Sequence, residues 1–240
     1  MKAIVLAAGT GTRLGTLTQD RPKALVRVAQ RELILRVFDF LNHPEITHTT
    51  VIVGYGEPVF RRFLQQHAPD VEIISNPDFM QGSILSVMKA FPAMTDDFLL
   101  MNVDHIYPQR LFRSLLQQPK GLSAVCDFDR QLGPDDMKVK KDKEGFLSHI
   151  HKQLQTYDGG YIGMTLCDAP SIPHYQHAAE KLLTQKGAQA PVEWILGLLA
   201  QQGEKISLCD VSGMSWLEID DEQDLARAEK ILQTEKDFLR

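Results

Sequence analysis

Apolar residues in the first hundred positions alternate between short continuous runs and repeats at helical spacing. Short apolar runs bounded by turn residues predict buried strands, and the longer repeats predict amphipathic helices. The predicted strands are Ala3–Ala7, Val51–Val53, Val71–Ser75 and Phe98–Val103, and the predicted helices are Arg31–Asn42, Glu57–His67 and Ser83–Phe91. This alternation predicts an α/β fold with right-handed crossovers and a mostly parallel twisted sheet that has helices on both faces.

The pattern changes after Leu122, where strand-like runs are separated by turn-forming residues. The runs are SAVCDF, MKVKKD, FLSHIH and GGYIGMTL, and the breaks include LGPDD, KEG and YDGG. They predict hairpins added to the same sheet as a lid or acceptor region. Further elements are predicted as helices His174–Gln185 and Val192–Gln202, strands near Ile206–Val211 and Trp216–Ile219, and a last helix from Asp221 to about Lys236.

Composition narrows the class of protein. The 240 residues are 43% hydrophobic and 24% charged, which is typical of a globular chain, and no repeat or linker divides it, so we expect one domain over 1–240. The net charge of −5 indicates no excess of basic residues for binding nucleic acid, so no nucleic-acid partner is expected. No apolar run is long enough to span a membrane, so no membrane partner is expected either. Cys126, Cys167 and Cys209 are too far apart for a C-x-x-C pair and favour a reducing cytoplasm.

A long loop rich in glycine and threonine, LAAGTGTRLGTLTQDRPKAL, follows the first predicted strand. A dinucleotide fingerprint fits poorly because Leu14 stands at the sixth motif position, and a P-loop is excluded because no Lys-Ser or Lys-Thr pair follows Gly15. The remaining functional interpretation is a loop whose backbone N–H groups wrap a triphosphate, with charge from Arg13 and Lys23. The alternative is a surface loop with scattered charges, but ordered loops of this length are usually functional.

Three acidic residues lie in or directly after predicted strands. Asp104 stands at the carboxyl end of a strand, where open α/β sheets bind ligands, and its alternative role is a helix cap. Glu218 and Asp220 are two residues apart on a late strand and are therefore expected to share one face with access to the same Mg²⁺ ion. Gly82 and Ser83 begin a helix whose N–H groups, with the amide of Gln81, suit a nucleobase edge.

These segments resemble those of sugar- and polyol-phosphate nucleotidyltransferases. LAAGTGTRLGTLTQDRPKALV is similar to their signature L-A-[AG]-G-x-G-[TS]-R-[LM] followed by x-P-K, and FLLMNVDHIYP, HIHKQLQTYDGGYIGM and WLEIDDEQDLARAEKIL resemble later family segments in the same order. Within the family, inositol-phosphate and phosphocholine cytidylyltransferases are most similar, through LAAG, GSILS and DHIY.

The resemblance implies a Rossmann-like nucleotidyltransferase fold, with a nucleotide-binding half over 1–121 and an acceptor-binding and closing half over 122–240. The implied reaction transfers a nucleoside monophosphate, from CTP by preference, to a phosphorylated polyol, sugar or amino alcohol and releases pyrophosphate. The implied catalytic residues are Arg13, Lys23, Asp104 and Lys152, and Mg²⁺ is implied at Asp104 and Asp220 with Glu218 assisting. Nucleotide contacts are implied for Leu6, Ala7, Ala8, Gly9, Thr10, Gly11, Thr12, Arg13, Lys23, Gln81, Gly82, Ser83 and Asp104, and acceptor contacts for Lys152, Asp158 and Gly160.

The sequence departs from the family pattern at two positions, and two rival functions are not excluded by it. Val103 stands where a glycine commonly precedes the first Asp, and Glu218 stands where some relatives have Asp. The rival functions are transfer from UTP or another triphosphate to a sugar 1-phosphate, and nucleotide sensing without turnover.

His105 is next to the predicted metal ligand Asp104 but is not expected to act as a base. A phosphate monoester has a second pKa near ~6 and is already an ionised nucleophile at neutral pH. If the strand pairing extends to these residues, alternation of side chains predicts that His105 points away from Asp104.

Overall fold

The computed structural model describes residues 1–240 and contains strands and helices in alternation. The strands are β1 (Lys2–Ala7), β2 (Arg27–Val28), β3 (Arg31–Glu32), β4 (His48–Val53), β5 (Glu72–Ser75), β6 (Phe98–Asn102), β7 (His105–Ile106), β8 (Leu122–Asp127), β9 (Lys138–Lys141), β10 (Leu147–His151), β11 (Gly159–Cys167), β12 (Ile206–Asp210) and β13 (Leu217–Glu218). The helices are α1 (Leu33–Leu41), α2 (Glu57–His67), α3 (Ser83–Lys89), α4 (Gln109–Leu116), α5 (Ile172–Lys186), α6 (Trp194–Gln201) and α7 (Glu222–Thr234).

Nine strands form the main sheet, which has β1 near its centre. Across the sheet the order is β12, β8, β11, β6, β1, β4 and β5, and the hairpin of β9 and β10 extends from the first residues of β11. The pairs β1–β4, β1–β6, β4–β5 and β8–β12 are parallel, whereas β11 is antiparallel to both β6 and β8. The predicted fold class, a mostly parallel sheet with an added hairpin, is confirmed.

Helices cover both faces of the sheet, because apolar side chains of the central strands alternate between two cores. On β1, Ile4 faces a core that includes α3, α5 and α6, whereas Ala3 and Val5 face a core that includes α1, α2 and α4. A strand buried on both faces needs the continuous apolar sequence that Ala3–Ala7 has.

The last predicted strand has a different place from the other strands. Only Leu217 and Glu218 are extended, and they pair antiparallel with Ile106 and His105 in a separate two-stranded sheet. This small sheet brings the segment after β6 and the segment before α7 together at the carboxyl edge of the main sheet. No helix of the protein combines the length and apolar character that a bilayer crossing requires.

Candidate active site

The loop after β1 is compact, and short 3-10 helices over Thr12–Thr18 and Lys23–Leu25 fold it back on the sheet. Gly11 has φ of +68°, and a Cβ there would lie 2.8 Å from Cβ of Lys23, so this position requires glycine. The Thr18 hydroxyl donates to the Gly11 carbonyl at 2.9 Å, and the Tyr55 hydroxyl donates to the Gln19 carbonyl at 2.6 Å. The loop is therefore held in place before any ligand binds.

Lys23 lies where this loop meets the strand ends. Its Nζ donates to Oδ2 of Asp104 at 2.9 Å and to Oδ1 of Asp220 at 2.7 Å. The other oxygen of Asp220 accepts from Nη2 of Arg13 at 2.5 Å. Only 10% of the Lys23 side chain is exposed, against 22% for Asp104 and 21% for Asp220. Four residues from three distant segments of the chain thus form one charged cluster.

Electrostatics keep Asp104 and Lys23 of this cluster ionised. Burial opposes the charge on Asp104, but the Lys23 ammonium and the His105 ring outweigh it and hold the pKa of Asp104 well below its usual range. Burial likewise opposes the charge on Lys23, and the carboxylates of Asp104 and Asp220 outweigh it and raise the pKa of Lys23. Asp104 and Lys23 therefore present fixed charges at neutral pH.

The orientation predicted for His105 is wrong. Nδ1 of His105 lies 2.7 Å from Oδ1 of Asp104, and its Nε2 lies 3.7 Å from Oε1 of Glu218. Strand alternation does not apply here, because β6 ends at Asn102 and the chain turns over Val103 and Asp104 before β7 begins. The carboxylates on both sides outweigh the opposing effect of burial and raise the pKa of His105.

Aromatic stacking fixes the His105 ring. Trp216 stacks on it with ring centroids 5.4 Å apart, and Tyr107 stacks with centroids 5.5 Å apart. The Trp216 indole donates to Oδ2 of Asp127 at 2.8 Å, and the Arg130 guanidinium lies 3.8 Å from the centre of its ring. His105 is therefore a buried positioning group for Asp104.

A cavity of about 270 Å³ opens between the glycine loop, β6 and the start of α3. Six of the predicted nucleotide-binding residues line it: Leu6, Ala8, Gly9, Lys23, Ser83 and Asp104. Ala7 instead faces the core, and the Gln81 amide donates to Oδ1 of Asp78 at 3.2 Å. The predicted Thr10, Gly11, Thr12, Arg13 and Gly82 do not line it: the first four lie in the loop, and Gly82 is the residue before α3. We call this space the nucleotide cavity.

A second cavity of about 70 Å³ lies beside it and shares Asn102 and Glu193 with it. We call this space the acceptor cavity, because the predicted acceptor residue Lys152 lines it. The other two predicted acceptor residues do not line it. Asp158 accepts from the Lys141 backbone N–H at 2.7 Å, and Gly160 is paired within the sheet, so both belong to the framework of β9 and β11.

The three predicted metal carboxylates do not converge on one point. Asp104 and Asp220 meet at Lys23, whereas Glu218 lines the acceptor cavity near His105. No group of three or more His, Cys, Asp or Glu side chains is arranged to hold a metal ion. The strand that was expected to align Glu218 with Asp220 ends at Glu218, which explains their separation.

Glu193 and Asn102 were not among the predicted site residues. Asn102 ends β6, so the rule that ligands bind at strand ends points to it. Glu193 has no such signal, because it precedes α6 in the second half of the chain. Its position depends on the segment before α6 packing against α3: a Cβ at Gly82 would lie only 1.7 Å from the Ala188 carbonyl oxygen.

Comparison with known proteins identifies the family. Residues 3–134, more than half of the chain, match the family described as the MobA-like NTP transferase domain. The chain belongs to this family. It is 30% identical over 231 residues to the bifunctional IPC transferase and DIPP synthase of Aquifex aeolicus, which covers 96% of this chain and 51% of that protein. The chain thus spans about half the length of the curated relatives it matches first.

Two further likenesses concern cytidylyl transfer by other proteins. The choline-phosphate cytidylyltransferase of Streptococcus pneumoniae is 53% identical over 60 residues, which is 25% of this chain and 26% of that one. The solved inositol-1-phosphate CTP transferase from T. maritima superimposes with a TM-score of 0.81 at 18% identity, covering 98% of this chain and 96% of that one. This superposition shows that the fold is shared.

Proposed function

We propose that this nucleotidyltransferase transfers CMP from CTP to a small phosphorylated acceptor and releases pyrophosphate. The observation that carries the proposal is the position of Lys23, whose ammonium bridges Asp104 and Asp220 beside the cavity that the glycine loop lines. The names of the choline-phosphate cytidylyltransferase and of the inositol-1-phosphate CTP transferase support CTP as the donor and phosphate monoesters as acceptors.

The chain supplies mainly position and charge. Lys23 neutralises the reacting phosphates, and Arg13 with the N–H groups of the glycine loop holds the β- and γ-phosphates. Lys152 orients the acceptor phosphate, whose oxygen attacks the α-phosphorus in line as pyrophosphate leaves. The acceptor phosphate is already ionised, so the barrier to reaction lies in bringing it close to the negatively charged triphosphate. Cationic side chains held in fixed positions lower this barrier.

Asp104 and Asp220 fit a divalent cation. Two ionised carboxylates that converge on one ammonium provide the oxygen donors that Mg²⁺ prefers. These two residues would hold the ion, and when bound it would supply further positive charge to the phosphates. Glu218 is not needed as a direct ligand in this assignment.

Pyrophosphate release is the direct test of the proposed function. The protein is incubated with Mg²⁺, each of the common nucleoside triphosphates and a panel of phosphate monoesters, including sugar 1-phosphates. Release with CTP and a non-sugar acceptor is expected. Release only with UTP and a sugar 1-phosphate establishes the first rival function, and nucleotide binding without release establishes the sensor.

Selectivity for CTP is expected to appear in binding as well. Thermal unfolding is recorded with Mg²⁺ and each triphosphate in turn, because a ligand that binds only the native state raises its stability by mass action. At a concentration 100 times its Kd, CTP should add roughly 2.7 kcal/mol, and the other triphosphates should add less. A rise with UTP or GTP and none with CTP contradicts the cytidylyl assignment.

His105→Asn is expected to lower kcat/KM by less than about tenfold, because an amide can still donate to Asp104. His105→Phe keeps a stacked ring but removes the donor, so we expect a loss of ~10- to 100-fold. The acidic limb of the pH profile should follow the acceptor phosphate and persist in His105→Asn.

Binding of CTP, measured by thermal shift, is the control for both His105 variants. If His105→Asn is inactive while it still folds and binds CTP, the ionised-nucleophile mechanism is wrong and the imidazole has a direct chemical role.

A further inference from the structure

The acceptor cavity is strongly acidic. Four carboxylates line it, those of Asp135, Asp136, Glu193 and Glu218, and Lys152 is the only lysine or arginine there. A phosphate monoester with no other charged group would bind best where positive side chains outnumber carboxylates. The excess of carboxylates therefore indicates a positive group on the ligand.

Two of the four carboxylates already have partners. Asp135 lies 3.8 Å from Nη1 of Arg13, and Asp136 accepts from the backbone N–H of Gly133 at 2.5 Å. No other residue donates a hydrogen bond to the Glu193 carboxylate or forms an ion pair with it, and the nearest cationic group to Glu218 is Nε2 of His105 at 3.7 Å. Glu193 and Glu218 are thus two carboxylates that line one cavity and accept no hydrogen bond from another residue.

An unpaired carboxylate in a partly buried cavity is unfavourable, since it loses hydration without gaining a counter-charge. Burial accordingly raises the pKa of Glu193, although the charge of Lys152 acts in the opposite direction. A cationic group bound beside these carboxylates would supply the counter-charge that compensates for their lost hydration. Tyr161 also lines the cavity. Carboxylates beside an aromatic ring suit an alkylammonium group, which is attracted both to the negative charges and to the face of the ring.

Building on the proposed function, we propose that the acceptor is a phosphorylated amino alcohol, with its phosphate at Lys152 and its cationic amine at Glu193 and Glu218. The negative phosphate of such a ligand would pair with Lys152, and its positive amine would pair with the two glutamates. A phosphorylated polyol offers hydroxyl donors to the carboxylates but leaves their negative charge uncompensated.

The test compares acceptors that differ in charge alone. Pyrophosphate release with CTP and Mg²⁺ is measured for phosphocholine and for its neutral carbon isostere, dimethylbutyl phosphate. Phosphoethanolamine, glycerol phosphate and inositol phosphate complete the panel. We expect the cationic acceptors to exceed the isostere in kcat/KM by roughly 30-fold or more.

Variants assign the preference to named side chains. Glu193→Gln and Glu218→Gln should each reduce the ratio of kcat/KM between phosphocholine and its isostere. For Glu218→Gln, which lines the acceptor cavity alone, the KM for CTP should stay nearly unchanged. Glu180→Gln, an exposed glutamate of α5, is the matched control and should leave the ratio unaltered. If one variant fails to fold, the other decides.

Each result separates this inference from the proposed function. Release with neutral polyol phosphates at equal or higher kcat/KM overturns the inference and leaves cytidylyl transfer intact. If no acceptor yields pyrophosphate, the proposed function fails, and calorimetric titration of phosphocholine and its isostere into the protein with CTP decides the inference. Equal Kd values for the two ligands then overturn it, and tighter binding of phosphocholine sustains it.

Discussion

Asp104→Asn and Asp220→Asn are each expected to lower kcat by about 10³-fold or more, the scale seen when a fixed charge at a phosphoryl group is removed. Each substitution keeps the size of the side chain and removes the negative charge that faces Lys23. It also removes one of the two carboxylates proposed to hold the divalent cation. Neither residue contributes apolar packing, so the fold should be retained.

Steady-state pyrophosphate release with saturating CTP and Mg²⁺ measures this effect, and circular dichroism confirms folding. Asp70→Asn, at an exposed position before β5, is the matched control and should retain full activity. If Asp104→Asn or Asp220→Asn keeps a rate near that of the wild type with Mg²⁺, the assignment of the metal pair is wrong.

The sheet could be predicted because its strands have a distinctive sequence. Runs such as Ala3–Ala7 are apolar throughout, and this occurs where both faces are covered by helices. The strand order in the second half could not be predicted. The position of β11 between β6 and β8 depends on long-range pairing that leaves no local pattern along the chain.

The candidate site also has a part that the sequence predicts and a part that it does not. The glycine loop, Lys23 and Asp104 could be found because turn chemistry and strand ends mark such positions locally. The meeting of Asp104 with Asp220 joins residues more than a hundred positions apart. The strand positions suggested a shared ion, but only the family resemblance singled out these two as the pair. The error at His105 came from extending strand alternation through a turn, which the sequence VDHI does not signal.

Glu193 shows what is missing when a sequence is interpreted alone. Its carboxylate reaches both cavities because the segment before α6 packs against Gly82, whose φ of +145° and lack of a side chain permit the close approach. Neither residue indicates the other in the sequence. Substrate specificity of this kind is created by packing between distant segments, so it becomes visible only in the folded protein.

Lys23→Met is expected to lower kcat by ~10²- to 10³-fold, because Lys23 is the buried cation beside the reacting phosphates. It should also destabilise the protein at neutral pH, since the carboxylates of Asp104 and Asp220 then face each other without the ammonium that both now bind. Methionine preserves the length of the side chain, so the loss reports on charge rather than packing.

The pH dependence of the lost stability identifies its source. The pKa of Asp104 is lowered in the folded state, so its contribution is present above the unfolded pKa of about 3.9 and is lost as pH falls through the folded value. The pKa of Lys23 is raised, so its contribution is complete below about 10.4 and is lost as pH rises through the folded value. The difference in free energy of unfolding between wild type and Lys23→Met should therefore be largest between these limits and shrink on both sides.

Urea denaturation across this range measures that difference, with Lys186→Met at the exposed end of α5 as the matched control. The control should show a small difference that does not vary with pH, and full activity. A Lys23→Met difference that is constant from acid to alkaline pH means that the side chain stabilises the fold through packing. The bridge between Asp104 and Asp220 would then have to be abandoned as the electrostatic centre of the site.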